Sequence, residues 1–320
     1  MVSTIEDLPV LIMAFQRLDN LDLIVNRCRA AGIRKIYISV DGPSPEDFGQ
    51  IENHQRIVKY VSTLSEDSNL SIFAKVSEVN LGCSASVLGA LDWFFSQVDF
   101  GIVLEDDCIP EISFFTFVLR GLEYLSQDSN CMIVSGSQFW ASTKISSGCF
   151  LSKYPLIWGW ATTKSNWKKL SDSMEAEIHR LNFRYPCLAN SEDVFWNAGL
   201  RRSVLGYLDA WDAILAYVFY ANNYMALLPH ASLIQNIGND QFAIHKMSRN
   251  RQIRVQTGVF NDVYIAPLNV EEMNNWMRKH IYGINPMRLV TTRSTYLRDI
   301  LGLSRRICPP LKYRWRNTNN

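Results

Sequence analysis

Gly101-Ile102-Val103-Leu104-Glu105-Asp106-Asp107-Cys108-Ile109-Pro110 is the stretch on which the reading of this chain turns. An apolar run from Phe100 to Leu104 passes without a break into Glu105, Asp106 and Asp107, and Pro110 then closes the segment. A short, continuous apolar run has the make-up of a buried strand. Adjacent carboxylates at the end of such a strand are costly to desolvate unless a cation compensates them. Mg²⁺ and Mn²⁺ prefer hard oxygen ligands of this kind, usually a few carboxylates completed by substrate phosphates. The run therefore points to a divalent metal and, through it, to a phosphorylated substrate. Side chains diverge past the end of a strand, so one or two of the carboxylates ligate while another holds a hydroxyl or orients the loop. A solvated acidic turn is the plain alternative for three carboxylates taken alone.

Working back from this run, the chain has a βαβ rhythm. Pro9 to Phe15 reads as a buried strand, Asp19 or Asn20 caps a helix reaching Ala31, and Gly32 ends it. Ile33 to Val40 is a second strand closing on Asp41-Gly42-Pro43. A helix over 51–64, a strand over 70–76 and a helix over 84–97 lead to the acidic strand. Beyond it come a helix over 111–125 and a strand over 131–135. This alternation predicts an α/β fold with a mostly parallel sheet flanked by helices. Polar groups end three of the strands, at Asp41, at Glu105 and at Ser135-Gly136, where open α/β sheets bind their ligands. After residue 137 aromatics become dense, with helices expected over 164–179, 192–205 and 211–222.

Composition excludes several classes. The chain has 320 residues, 48% hydrophobic and 20% charged, which suits a globular domain with a large core. A formal net charge of +1 argues against nucleic acid as a partner. No G-x-G-x-x-G follows the first strand and no G-x-x-x-x-G-K-[ST] occurs, which removes the Rossmann dehydrogenase and P-loop readings. The seven cysteines include no C-x-x-C pair, so reduced thiols in a cytoplasmic protein are expected. Met1 to Asp7 has no basic region typical of a signal peptide, and no apolar run reaches membrane-spanning length.

Several stretches together resemble the bacterial GT-A nucleotide-diphospho-sugar transferases, distantly similar to N-acetylglucosaminyltransferase I. They are Val10 to Arg17, Val40-Asp41-Gly42, Asn80-Leu81-Gly82-Cys83, the Glu105-Asp106-Asp107 run as a DxD-type motif, Tyr154-Pro155, Trp158-Gly159-Trp160-Ala161-Thr162 and Asn236-Ile237-Gly238. The resemblance covers roughly residues 8 to 247. It implies a GT-A fold with a Rossmann-like sheet in one catalytic domain over 1–250, split into a donor half (8–136) and an acceptor half (137–250). Residues 251–320 then form a partly helical, basic extension. It further implies a metal-dependent inverting glycosyltransferase that moves a sugar from a UDP-linked donor to a saccharide or polyprenyl-linked acceptor in surface polysaccharide synthesis. A nucleotidyltransferase or a non-catalytic nucleotide-sugar-binding protein are the alternatives.

On this resemblance Asp107 and His245 hold Mn²⁺ or Mg²⁺, Asp106 contacts ribose or the metal's hydration shell, and Glu105 the sugar or loop. Asp41 receives the base N–H, with Asn80 nearby, and the guanidinium of Arg17 suits phosphate or ribose oxygens. The family pattern has a basic residue before Asn80, but this chain has Glu78-Val79. Trp158 and Trp160 are placed under the sugar or acceptor, although indoles also fill cores. Displacement by an acceptor hydroxyl needs a general base. Asp212, in Trp211-Asp212, is the first candidate and Asp193 its rival. From Arg278 to Asn320 there are ten Lys or Arg against the single acid Asp299, a segment suited to docking on an anionic membrane at the inner face of the plasma membrane.

Overall fold

A computed structural model describes residues 4–139, 148–181, 191–238, 270–280 and 282. The chain begins with the expected alternation: β1 (Val10–Ala14), α1 (Leu18–Ala31), β2 (Lys35–Val40), α2 (Phe48–Leu64), β3 (Ser71–Val76), α3 (Cys83–Gln97) and β4 (Phe100–Glu105). A three-residue strand β5 (Cys108–Pro110) follows the acidic loop, then α4 (Ile112–Leu125) and β6 (Cys131–Ser135). The later part contributes β7 (Cys149–Ser152), β8 (Trp160–Thr163), α5 (Lys164–Leu181), α6 (Ser191–Val204), α7 (Trp211–Asn222), β9 (Met225–Pro229), β10 (Ile234–Asn236) and α8 (Val270–His280).

Eight strands form one mixed sheet in the order β3-β2-β1-β4-β8-β6-β9-β7, and β10 pairs separately with β5. β1 to β4 are mutually parallel, as expected for βαβ units. The second half departs from the mostly parallel expectation. β8 runs antiparallel to both β4 and β6, and β7 antiparallel to β9. Parallel neighbours need a crossover connection, whereas antiparallel ones do not. Among the described residues no helix intervenes between β6 and β8.

Strand alternation divides the core between the two faces of the sheet. Val10, Ile12 and Ala14 of β1, with Ile102 and Leu104 of β4, pack against Leu21, Val25, Phe114 and Val118 from α1 and α4. Leu11 and Val103 point the other way, to a cluster holding Leu91 and Phe94 of α3, Trp167 of α5, Trp211 and Ile214 of α7, and Met273 and Met277 of α8. The same alternation sends Glu105 toward the α3 and α7 side. α1 starts differently from expectation: its N-cap is Arg17, which makes no side-chain cap, and Asp19 lies in the first turn, where its charge faces the positive end of the helix. Gly32 ends α1 as expected, at φ 89°.

From β1 the chain builds outward through β2 to β3, then returns to place β4 on the opposite side of β1. Ligands bind at such a reversal, outside the carboxyl ends of the strands. The register Met13↔Glu105 brings the Arg17 loop and the acidic run to that point. On the far side of β4, Gly159 has φ +64°, and a Cβ there would lie 2.4 Å from Cδ1 of Ile234. Gly159→Ala is expected to lower stability by about 1–3 kcal/mol through strain and overpacking, read as a lower urea midpoint with an unchanged slope.

Candidate functional site

A cleft of about 350 Å³ opens at this reversal point. Its walls come from the loops after β1, β2 and β4, the first turns of α3 and α7, and Gly238 beyond β10. Asp41, Glu105, Asp106, Asp107, Asp209 and Asp212 all line it, and among the described lining residues Arg17 is the cation facing them.

Asp41 ends β2 and is buried. Its Oδ1 accepts the N–H of Gly42 at 2.9 Å and of Leu81 at 3.1 Å. Burial pushes its carboxyl upward, and these bonds hold it partly back. A Cβ on Gly42 would meet the Val79 carbonyl carbon at 2.3 Å, so glycine is what lets the 79–82 segment lie over Asp41. Asn80 fixes that segment: its Nδ2 donates to the Gly42 carbonyl at 3.1 Å and its Oδ1 accepts from Gly82 N–H at 3.0 Å. Both residues line the cleft, where the sequence placed them.

Arg17 and Asp106, expected to meet the ligand separately, meet each other. Nη1 of Arg17 lies 2.6 Å from Oδ1 of Asp106, whose Oδ2 accepts the Phe15 N–H at 3.1 Å. Asp106 thereby anchors the loop after β1. Burial pushes its carboxyl up, and the guanidinium opposes that shift.

Asp107 sits where β5 and β10 pair. Its carbonyl accepts the Ile237 N–H at 2.9 Å, and Oδ1 receives the Cys108 thiol at 3.2 Å. The pairing Asn236↔Cys108 carries Asn236-Ile237-Gly238 onto the acidic loop. A Cβ on Gly238 would fall 2.0 Å from Oδ2 of Asp107, so a larger residue there would displace the Asp107 side chain from its present position. Glu105 lies on the floor of the cleft. Burial, then the charges of Asp107, Asp106 and Asp212, push its carboxyl up to about 8, against a smaller opposing pull from Arg17.

Asp212, in the first turn of α7, also lines the cleft. Asp193 does not line it; its carboxylate accepts the Tyr220 hydroxyl and ties α6 to α7. The two tryptophans divide similarly. Trp158 faces the cleft, while Trp160 is 1% exposed and packs with Trp167 and Trp211 in the core. His245 and the basic segment after residue 282 lie outside the described residues. Among the described residues no three His, Cys, Asp or Glu side chains converge as a ready metal cage, and no helix is long and apolar enough to cross a membrane.

Compared with known proteins, the chain matches no protein-family model and no curated protein. The site must be judged on its geometry.

Sequence reasoning gave no specific role to Asp209. Its Oδ2 accepts the Cys83 N–H at 2.8 Å and its Oδ1 the Ser84 N–H at 3.0 Å, capping α3 from 126 residues away. The available signal was Gly82, which starts a helix with no side chain to cap it. That shows a partner is needed without naming it.

Glu105 also sets a pH dependence. Its folded-state pKa is raised from 4.5 to about 8, so between those values the native protein holds a proton that the unfolded chain releases. Stability is therefore highest below the unfolded pKa and falls as pH rises through this window, by at most about 1.4 kcal/mol per pH unit. In chelator-treated protein, the Tm of Glu105→Gln should gain on that of the parent from pH 5 to pH 8.5; a constant difference would contradict this origin.

Proposed function

We propose that this chain is a metal-dependent inverting glycosyltransferase of GT-A architecture, transferring a sugar from a UDP-linked donor to a saccharide or lipid-linked saccharide hydroxyl. The observation that carries the reading is the cleft itself. Carboxylates from separate loops meet at the sheet's reversal point, and the cation among the described lining residues is already bonded to Asp106. An anionic diphosphate entering such a cleft needs added positive charge. Glu105 and Asp107 supply hard oxygen donors on the wall where that charge is required, which fits Mg²⁺ or Mn²⁺ completing its shell with phosphate oxygens and water. The apposition of Asn236-Ile237-Gly238 to Asp107 also matches the order of segments on which the family resemblance rests.

When bound, the ion neutralises charge on the leaving diphosphate. The remaining work falls to side chains. Asp41 and Asn80 shape the wall at the end of β2, where the nucleobase is received. Trp158 offers an aromatic face to the sugar. Asp212 accepts the proton of the acceptor hydroxyl as that oxygen bonds to the anomeric carbon. The bond from that carbon to the β-phosphate oxygen breaks, its electron pair leaving with the nucleoside diphosphate, and attack from the opposite face inverts the configuration. The nucleotidyltransferase alternative is less favoured: the loop after β1 lacks glycine, and its Phe15 N–H and Arg17 guanidinium are directed at Asp106.

A thermal-shift screen of nucleotide sugars with and without Mn²⁺ tests the donor: the cognate donor should raise Tm more with the metal than without. Asp107→Ala should abolish the metal-dependent part; nucleotide binding indifferent to both chelator and this substitution would reject the metal bridge. Asp212→Asn should retain donor affinity and lower transfer by about 10²–10⁴-fold, the usual worth of a general base. Near-normal transfer by that variant would remove Asp212 from the role.

A further inference from the structure

The first turn of α3 and the entry to α7 belong to different halves of the chain, yet they are joined across the cleft by one side chain. Gly82, the N-cap of α3, carries no side chain and has φ +81°. The N–H groups of Cys83 and Ser84 would otherwise lack helical partners, and each is taken by a different oxygen of Asp209. The fit is close: a Cβ on Gly82 would stand 3.0 Å from Oδ2 of Asp209. On the other side, Asp209 lies three residues before Asp212. Ala210, the N-cap of α7, offers that helix no side-chain cap of its own. Behind α3, Leu81 is held by Asp41 and Gly82 by Asn80. A continuous chain of bonds thus runs from the end of β2, through the start of α3, to the loop that delivers Asp212. Cys83 lines the same cleft as Glu105, Asp209, Asp212 and Asp41, and burial first, then these charges, push its thiol up.

We propose that Asp209 is a positioning residue: by capping α3 from the acceptor half, it sets where Asp212 stands relative to the donor side of the cleft. The claim rests on the functional reading above for its catalytic consequence and on geometry alone for its mechanical one. A carboxylate is required because both seats are N–H donors. An asparagine can accept through one oxygen only, and its amide would oppose the second N–H.

The experiment compares the parent protein, Asp209→Asn and Asp209→Glu in two measurements. Hydrogen exchange reads the linkage directly. In Asp209→Asn, exchange should quicken at least tenfold in the first turn of α3 and also in the first turn of α7, and Asp209→Glu should restore part of the protection. Quickening confined to α3 would reduce Asp209 to a local cap and overturn the proposal. Turnover with a UDP-sugar and Mn²⁺ reads the consequence. Asp209→Asn should keep the Kd for UDP within about twofold and lower kcat at least tenfold, with partial recovery in Asp209→Glu. An unchanged kcat, or a loss that appears only in KM, would also overturn it. If the parent protein turns over no nucleotide sugar, the glycosyltransferase reading is what fails, and the exchange measurement alone decides the clamp.

Discussion

Repulsion among carboxylates at the reversal point of the sheet is the constraint around which the rest of this protein is arranged. The polar ends of β2 and β4 and the first turn of α7 converge on one cleft, and the acids they bring must each be compensated or left under strain. Three are compensated within the protein. Asp41 accepts backbone N–H groups, Asp106 is bonded to Arg17 and Phe15 N–H, and Asp209 occupies the start of α3. Apart from the bond between Asp41 and its neighbour Gly42, these bonds cross between segments distant in sequence, so the bonds that relieve charge also hold the walls of the cleft together. Glu105 shows the repulsion left over, with its carboxyl held well above the ordinary range by burial and by Asp107, Asp106 and Asp212. A fold that satisfies some of its acids internally and leaves others facing a cavity has divided them between scaffold and site.

The first half of the fold was legible in the sequence because its signals are local. β1 to β4, α1 to α4 and β6 each occupy a single periodic or apolar run bounded by turn residues, whereas the order of the strands in the sheet was not read from the sequence. β7 to β10 were not legible. These strands have three to five residues, and β10 exists only because it pairs with β5, a contact spanning more than a hundred positions. The aromatic middle was read for its composition, and composition does not distinguish the buried Trp160 from Trp158 at the cleft; what separates them is Gly159, whose φ of 64° breaks the extended backbone just before β8 begins at Trp160.

The site divides along the same line. Residues at strand ends, Asp41 and Glu105 to Asp107, were found because a strand end can be read from its own neighbours. Asp212 was found through a resemblance and stands in the cleft, while Asp193, equally acidic and equally near a helix start, is directed into the contact between α6 and α7. The partnership of Arg17 with Asp106 and that of Asp209 with the backbone of α3 could not be read, since each joins residues 89 or more positions apart. Two glycines illustrate the limit well. Gly42 and Gly238 stood out only as members of two motifs, and the close approach each permits, to the Val79 backbone and to Asp107, has no signal in the sequence.

The arrangement carries a tension that its geometry also addresses. Positive charge that relieves Glu105 and Asp107 would, at short range, weaken a carboxylate base beside it, because a cation stabilises the ionised carboxylate and lowers its pKa. In the proposed reading Asp212 acts near the acidic loop without sharing the ion. It is carried by a different element, α7, and its charge contributes to raising Glu105. The separation of α7 from the acidic loop would then set both the charge balance and the strength of the proposed base. Ala210 gives α7 no side-chain cap and the loop before it turns at Gly206 with φ 76°, while Trp211 and Ile214 seat the helix in the core. The carboxylate of Asp209, seated on the start of α3, supplies a polar tie between the loop entering α7 and the half of the sheet bearing the acidic run.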